Sequence, residues 1–178
     1  MMVEKIKVGF LQTNCYFIIK NSFCIIVDPG DDFNKINKKV EDEKLKVVAI
    51  FVTHHHFDHV GALKECTKTY NAPIYDFSNY INDDKIYKIN DFEFKIIDTR
   101  GHKDDLVTFY FFNDDIMFTG DFLFKNTIGR CDLEDSNYEL MKLSIEKIKE
   151  YDDNIKVYPG HGASTNLGYE KLNNEYFK

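Results

Sequence analysis

Four of the chain's six histidines fall within one seven-residue stretch, THHHFDH at residues 53–59. The stretch follows an apolar run at residues 47–52, which predicts a strand that ends where the histidines begin. Imidazole nitrogens and carboxylate oxygens are ligands that zinc and similar divalent metals accept. The cluster therefore predicts part of a metal site at one edge of a sheet.

Three later segments have the same form, an apolar run that ends in a glycine-containing turn with one His or Asp. The runs at residues 93–98, 115–118 and 155–158 lead to His102, Asp121 and His161. Such runs indicate a strand followed by a turn, and ligands in layered α/β folds gather beyond the strand ends. We therefore expect five histidines and two aspartates to converge: His54, His56, Asp58, His59, His102, Asp121 and His161.

Seven ligands suffice for two metal ions, because three imidazoles make one open site and the remaining groups make a second that shares a bridging group. We assign three residues to each ion and one to both: His54, His56 and His102 to the first, Asp58, His59 and His161 to the second, and Asp121 as the bridge. Neighbouring side chains of an extended segment point to opposite faces. His55 is therefore predicted not to be a ligand, with hydrogen bonding to the site as the alternative.

Four motifs in this order, HxHxDH, GH, GD followed by LF, and PGHG, resemble the metallo-β-lactamase-fold hydrolases. Within that superfamily the chain is most similar to the short, single-domain glyoxalase II-like branch, and the likeness covers nearly the whole chain. Further residues carry the resemblance: Asn14, Cys15 and Tyr16, Asp28, Pro29 and Gly30, GDFLF at residues 120–124, IGRCDL at residues 128–133, and Thr165, Glu170, Asn174 and Tyr176.

The resemblance implies an α/β fold, the αββα four-layer sandwich of two mixed β-sheets flanked by helices, with the ligand set above at one sheet edge. It also implies a metal-dependent hydrolase of acyl thioesters, similar to hydroxyacylglutathione hydrolases, which uses a hydroxide bridging two metal ions. Asp58 would orient that hydroxide. Zinc is the expected metal, with iron and manganese as alternatives, because His and Asp accept all three.

Two cationic residues close to Asp121 in sequence, Lys125 and Arg130, are candidate contacts for a substrate carboxylate. An ion pair of Arg130 with Asp132 or Glu134 is an equally good interpretation.

The loop after the GH motif departs from the family, since GHKDDL stands where GHTPGS is common. With Lys103, Asp104 and Asp105 in this loop, the support of His102 is expected to differ. The extra carboxylates could strengthen cation binding or repel anionic substrates, and a solvated loop without a role is the default interpretation.

Two other functions are compatible with this sequence. Persulfide dioxygenases resemble the chain and bind a single iron through the equivalents of His54, His102 and Asp121. A non-catalytic binding module could instead keep the ligands for stability. Structural zinc sites are normally closed and often rich in cysteine, which favours the enzyme.

Length and composition predict one domain over residues 1–178, and the charged first ten residues favour a cytoplasmic location. The resemblance implies that the C-terminal helical domain that binds glutathione in two-domain glyoxalase II enzymes is absent. The net charge of −7 disfavours a nucleic-acid partner. No apolar run approaches the ~20 residues of a membrane span, and the four cysteines lack metal-binding spacing. We expect buried thiols, a small-molecule thioester as partner and no membrane association; nothing in the sequence indicates an oligomeric state.

The elements that position these residues can be outlined from periodicity. Runs at residues 5–10, 15–20 and 23–28 predict an opening antiparallel meander. Apolar spacing predicts helices at residues 34–44, 60–70 and 135–151, the second beginning directly after the histidine cluster.

Overall fold

The computed structural model describes residues 1–178 and contains two large sheets. The first sheet consists of β1 (Met2–Val8), β2 (Thr13–Lys20), β3 (Phe23–Val27), β4 (Lys46–Phe51) and β5 (Ile74–Tyr75), in that spatial order. The second consists of β6 (Ile86–Ile89), β7 (Phe92–Asp98), β8 (Val107–Phe111), β9 (Ile116–Gly120), β12 (Lys156–Pro159) and β13 (Thr165–Asn166). A small hairpin, β10 (Leu123–Phe124) and β11 (Thr127–Ile128), precedes β12 in the chain.

Five helices accompany the sheets: α1 (Phe33–Asp42), α2 (Phe57–Val60), α3 (Leu63–Tyr70), α4 (Tyr138–Lys149) and α5 (Leu167–Asn173). Short 3₁₀ turns lie at Phe77–Asn79 and Glu175–Phe177. No helix is long and apolar enough to cross a membrane.

Both sheets are mixed. β1, β2 and β3 form the predicted antiparallel meander, and β4 and β5 add to it in parallel. In the second sheet β6 to β9 are antiparallel, and β12 lies parallel to β9. The parallel pairs bring the carboxyl ends of β3 and β4, and of β9 and β12, to common edges, where the predicted ligands follow.

Each sheet is buried on both faces. On β2, Ile18 packs into a central cluster with Phe51 and Phe109, between the two sheets. Its neighbour Phe17 packs into an outer cluster with Ile36 of α1. Because side chains alternate along a strand, one strand supplies two apolar layers.

A third apolar cluster covers the opposite side of the second sheet. Met117 of β9 packs there with Met141 and Ile145 of α4. The resulting order of layers, helix, sheet, sheet and helix, confirms the predicted αββα sandwich. Three of the four cysteines are buried, and none forms a disulfide.

The helix predicted at residues 60–70 is wrong at its start, because the structure has two helices there. Gly61 separates α2 from α3, and a Cβ atom at this position would lie 2.2 Å from the carbonyl oxygen of Gly30. The amide of Ala62 donates to the carbonyl of Pro29 at 2.9 Å. This close packing against the loop after β3 turns the chain between the helices.

The other helix bounds also differ from the prediction. α1 ends at Asp42, before the predicted residue 44. α4 begins at Tyr138 rather than residue 135, because the side chain of Asn137 accepts hydrogen bonds from the amides of Glu139 and Leu140 and so caps the helix.

Hydrogen bonds join the strand ends on which the candidate site is built. The amide of Val107, at the start of β8, donates to the carbonyl of Thr53 at 2.9 Å and links the two sheets. The amide of Gly160 donates to the carbonyl of Gly120 at 2.8 Å. The first bond holds the loop after β4 against the start of β8, and the second holds the ends of β9 and β12 against each other.

Candidate metal centre

The structure brings the seven predicted ligands together at one edge of the two sheets. They come from five places in the fold: His54 and His56 follow β4, Asp58 and His59 lie on α2, His102 follows β7, Asp121 follows β9, and His161 follows β12. They form three overlapping groups of three, and within each group the donor atoms lie within 4.8 Å of one another.

The first group contains His54, His56 and His102. Nε2 of His54 lies 3.1 Å from Nδ1 of His56, and Nε2 of His102 lies 3.0 Å from the same atom. Two nitrogens bound to one tetrahedral zinc at about 2.0–2.1 Å would be roughly 3.3–3.4 Å apart. Two of the three nitrogen–nitrogen distances are therefore close to the value that a shared ion requires.

The second group contains Asp58, His59 and His161. Oδ2 of Asp58 lies 3.1 Å from Nε2 of His161 and 3.6 Å from Nε2 of His59. These three atoms form a mixed nitrogen and oxygen donor set that suits a borderline divalent cation.

Asp121 lies between the two groups. Its Oδ1 is 3.4 Å from Nε2 of His59, and its Oδ2 is 3.7 Å from Nε2 of His102 and 3.6 Å from Nε2 of His161. A carboxylate in this position can contact an ion in either group, which is the geometry expected of a bridge.

Hydrogen bonds to Nδ1 determine where three of the histidines carry their protons. His102 donates from Nδ1 to the carbonyl of Arg130 at 2.9 Å, and His59 donates from Nδ1 to Oδ2 of Asp28 at 2.9 Å. Nδ1 of His54 lies 3.1 Å from the Thr53 hydroxyl, which itself donates to Asp28. With the proton on Nδ1, each ring presents the lone pair of Nε2 to the centre.

Three polar residues that sequence reasoning did not assign to the site support its ligands. Asp28 accepts from the amide and the hydroxyl of Thr53 at 2.8 and 2.7 Å, in addition to His59. Thr13 donates from its hydroxyl to Oδ2 of Asp58 at 2.8 Å. Asp28 directly follows the buried strand β3, and Thr53 lies two residues after the buried strand β4. A polar residue at the end of a buried strand is the sequence signal for both.

The loop that carries His161 is held by two residues of β2. The Tyr16 hydroxyl donates to the carbonyl of Pro159 at 2.6 Å, and the Asn14 side-chain amide donates to the carbonyls of Pro159 and Gly162 at 2.8 and 3.2 Å. Asn14 and Tyr16 belong to the motif that carried the family resemblance. Through these contacts an early strand positions the loop that carries a ligand near the end of the chain.

The charge states of the group fit a bound cation. Burial, together with the neighbouring histidines, lowers the pKa of His54 and of His56, so both rings are neutral, as metal ligands must be. Burial also acts to lower the pKa of His59, but Asp28 and Asp121 outweigh it and raise that pKa to about 10. In the metal-free chain a proton on His59 supplies, between the carboxylates of Asp28 and Asp121, the positive charge that a metal ion would otherwise supply.

Two buried atoms at the centre have no hydrogen-bond partner. These are Nε2 of His59 and Oδ1 of Asp121, which lie 3.4 Å apart. Buried polar atoms without a partner are uncommon because they are costly. Divalent cations in contact with both atoms would satisfy them, so the residues present fit a metal centre.

Comparison with known proteins agrees with this geometry. A family model described as the metallo-beta-lactamase superfamily matches residues 8–81 and 78–161. The chain belongs to this superfamily. The probable metallo-hydrolase YqgX of Bacillus subtilis (strain 168) is 31% identical over 205 residues, which cover 99% of this chain and 97% of that protein. A hydroxyacylglutathione hydrolase of Pelagibacter ubique (strain HTCC1062) is 33% identical over 165 residues, 85% of this chain and 67% of that protein.

Solved structures share the whole fold. The B3 metallo-beta-lactamase BLEG-1 has a TM-score of 0.93 and 29% identity, with 99% of this chain and 100% of that chain covered. The protein TTHA1623, solved in a di-iron-bound form, has a TM-score of 0.88 and 25% identity over 97% of this chain and 99% of that chain. The protein is thus a metallo-hydrolase of the metallo-beta-lactamase superfamily, whose members bind divalent metals.

The loop that departs from the superfamily pattern is tied to its surroundings. Asp105 lies 2.7 Å from Nδ1 of His55, which is directed away from the centre. Lys103 pairs with Asp104 and with Asp135 at 3.2 and 3.1 Å. The additional carboxylates of this metallo-hydrolase therefore engage other side chains instead of joining the donor groups.

The two predicted substrate contacts are occupied by other interactions. Arg130 forms a two-point ion pair with Asp132 at 2.7 and 2.8 Å, the second interpretation given above. Its contribution to the centre is its carbonyl, which accepts from His102. Lys125 lies over the ring of Tyr169 at 5.3 Å. As contacts to a substrate, Lys125 and Arg130 stay predictions.

Proposed function

We propose that this metallo-hydrolase cleaves acyl thioesters at a two-metal centre. The observation that carries the proposal is the division of seven donors into two groups with Asp121 between them. Such an arrangement suits hydrolysis in which water is activated while the substrate carbonyl is polarised.

The ions would be held by His54, His56 and His102 on one side and by Asp58, His59 and His161 on the other, with Asp121 shared. Bound there, divalent ions would lower the pKa of water towards about 7 and polarise a carbonyl oxygen. Zinc is our proposal for both positions; the two-His, one-carboxylate combinations within the set would also accept iron.

Asp58 is suited to orient the attacking water. Its Oδ2 accepts from Thr13 at 2.8 Å, and the hydrogen bonds and charges of His161, His59 and Thr13 overcome the effect of burial and lower its pKa. The carboxylate therefore stays ionised at neutral pH and can accept a hydrogen bond from water at a fixed position.

A thioester suits this centre better than an amide. A thiolate departs without needing a proton, whereas an amine leaving group requires a general acid. The Pelagibacter relative is named for hydrolysis of a glutathione thioester, which supports the same bond type here.

The test combines metal analysis with a substrate panel on the purified protein. Thioesters of glutathione, coenzyme A and N-acetylcysteamine would be compared with a β-lactam, a lactone and a phosphodiester. We expect two metal ions per chain and fastest turnover of thioesters. Asp121→Ala should lose both turnover and at least one metal ion, while Asp132→Ala, at an exposed aspartate paired with Arg130, should retain both.

Other outcomes would assign another function. Oxygen uptake that depends on a thiol persulfide, with one tightly bound iron, would indicate the dioxygenase. Full metal occupancy without turnover of any substrate would indicate a binding module. Unchanged activity in Asp121→Ala would remove the bridging residue from the mechanism.

A further inference from the structure

A cleft of about 630 Å³ adjoins the metal centre. We call it the apolar cleft, and the residues that matter for its chemistry are Phe10, Leu11, Gly30, Asp31, Phe57 and Asp58. Asp58 also belongs to the second donor group. A substrate that occupies the cleft with one part could therefore place its scissile bond at the metal centre.

The cleft exposes large apolar side chains. Phe10 is 96% exposed, Phe57 is 75% exposed and Leu11 is 46% exposed. Isolated exposed apolar residues are common and need no explanation. Three of them around one concave surface beside a catalytic centre indicate a binding site for an apolar group.

Hydrogen bonds fix the backbone that carries these side chains. Phe10 and Leu11 occupy a turn closed by a hydrogen bond from the amide of Gln12 to the carbonyl of Gly9 at 3.3 Å. The amide of Gly9 donates to Oδ2 of Asp32 at 3.1 Å, which ties the turn to the start of α1. Phe57 opens α2 beside Asp58. The cleft is therefore largely formed before a ligand arrives, which lowers the entropic cost of binding.

The charge of the lining indicates which part of a thioester fits. The residues that line the cleft include Asp31 and Asp58 and no Lys, Arg or His. A negatively charged carrier such as glutathione would find no cationic side chain among the lining residues, while an uncharged chain would meet the phenylalanines. Lys125 and Arg130, the cations predicted to contact substrate, are not among its residues.

We propose that the apolar cleft binds the acyl chain of the substrate and selects uncharged, apolar acyl groups over short polar 2-hydroxyacyl groups. The inference rests on the proposed thioester hydrolysis and adds the acyl class to it. Phe10, Leu11 and Phe57 are the specificity-determining residues, and Asp58 is the point where the cleft meets the centre.

The test varies the acyl chain on one thiol. N-acetylcysteamine thioesters from acetyl to hexanoyl would be assayed with the metal-loaded protein. Burying each CH₂ group should raise kcat/KM about fourfold. The isobutyryl thioester should be hydrolysed several times faster than its lactoyl counterpart, in which a hydroxyl replaces one methyl group.

Single substitutions test whether the increase of kcat/KM with acyl length depends on the apolar cleft. Phe10→Ala and Phe57→Ala should each reduce the increase per CH₂ to about twofold or less, and Phe10 is the more decisive because it does not adjoin a predicted ligand. Leu172→Ala removes an equally exposed apolar side chain, 80% exposed on α5, and should leave the increase unchanged. Metal content would be measured for each variant.

A binding measurement makes the result independent of turnover. Non-hydrolysable S-alkyl thioethers of N-acetylcysteamine would be titrated calorimetrically into the metal-free protein. Affinity should rise with alkyl length in the wild type and rise less in Phe10→Ala.

The two proposals fail differently. Turnover that is equal across acyl lengths, or that follows the apolarity of the thiol instead, would overturn the acyl cleft and leave thioester hydrolysis intact. Absence of turnover for every thioester in the metal-loaded protein would overturn the proposed function. In that case thioether affinity that does not change with alkyl length would overturn the cleft as well.

Discussion

Replacement of Asp28 by Asn should weaken the second metal group although Asp28 is not one of its donors. Asp28 is 2% exposed and accepts at Oδ1 from the amide of Thr53, and at Oδ2 from the Thr53 hydroxyl and Nδ1 of His59. A backbone amide can only donate, so the Asn side chain must keep its oxygen at the Oδ1 position. Its NH₂ group then faces Nδ1 of His59.

The consequence is a change of tautomer. His59 can accept from the new NH₂ group only if its own proton moves to Nε2, the atom directed into the centre. That proton blocks coordination. Loss of a carboxylate that orients a ligating histidine typically lowers metal affinity about 10–100-fold, or roughly 1.4–2.7 kcal/mol. The first group should lose less, because the Thr53 oxygen can still accept from His54.

Competition between the metal-free protein and a chromophoric chelator for zinc measures both affinities. Long-range ¹H–¹⁵N spectra of the zinc-loaded protein report the tautomer of His59. Asp132→Asn is the matched control, since it makes the same chemical change at an exposed aspartate. Equal affinities of Asp28→Asn and wild type at both groups would refute the tautomer argument.

Two further predictions concern the same centre. Gly160→Ala should lower metal content sharply, because a Cβ there would lie 2.3 Å from Oδ1 of Asp121 and 2.6 Å from Cε1 of His59. Gly162→Ala should keep its metals, because a Cβ atom there has open space. It should lose about 1–2 kcal/mol of stability, because the backbone has a φ of +74°. Metal analysis and denaturation distinguish the two variants. In the presence of a metal chelator, the stability of the folded chain should fall as the pH rises from about 6.5 to 10. The pKa of His59 is about 6.5 in the unfolded chain and is raised to about 10 in the folded chain. Protonated His59 therefore contributes its full stabilisation only below the lower value, and this stabilisation is lost as the pH approaches the higher one. Thermal unfolding across this range should show the decline, and a flat profile would contradict it.

The features predictable from sequence were those encoded locally. Each proposed ligand lies within several residues of the end of an apolar run. The run that predicts a strand therefore also locates the ligand after it. The ion pair of Arg130 with Asp132 could be predicted for the same reason, because the two residues are two positions apart in the chain. The helix break at Gly61 could not, since its cause is the carbonyl of Gly30, brought close only by the fold.

Asp28 shows why the support of the ligands was harder to foresee than the ligands themselves. Its hydrogen-bond partners Thr53 and His59 lie 25 and 31 residues away in the chain. In sequence Asp28 belongs to the motif Asp28, Pro29 and Gly30 that carries the family resemblance, but nothing near it in the chain indicates which residues it contacts. Its role depends on the parallel pairing of β3 with β4, which sets the two strand ends side by side.

This pairing also means that the two donor groups are not independent. Oδ2 of Asp28 accepts from His59 directly, and it accepts from the Thr53 hydroxyl, whose oxygen in turn accepts from Nδ1 of His54. One buried carboxylate therefore holds the tautomer of a histidine in each group. Because both Nε2 lone pairs depend on the same acceptor, a change at Asp28 is expected to affect both donor groups. The hydrogen bonds that support the ligands therefore couple the two donor groups through one buried carboxylate.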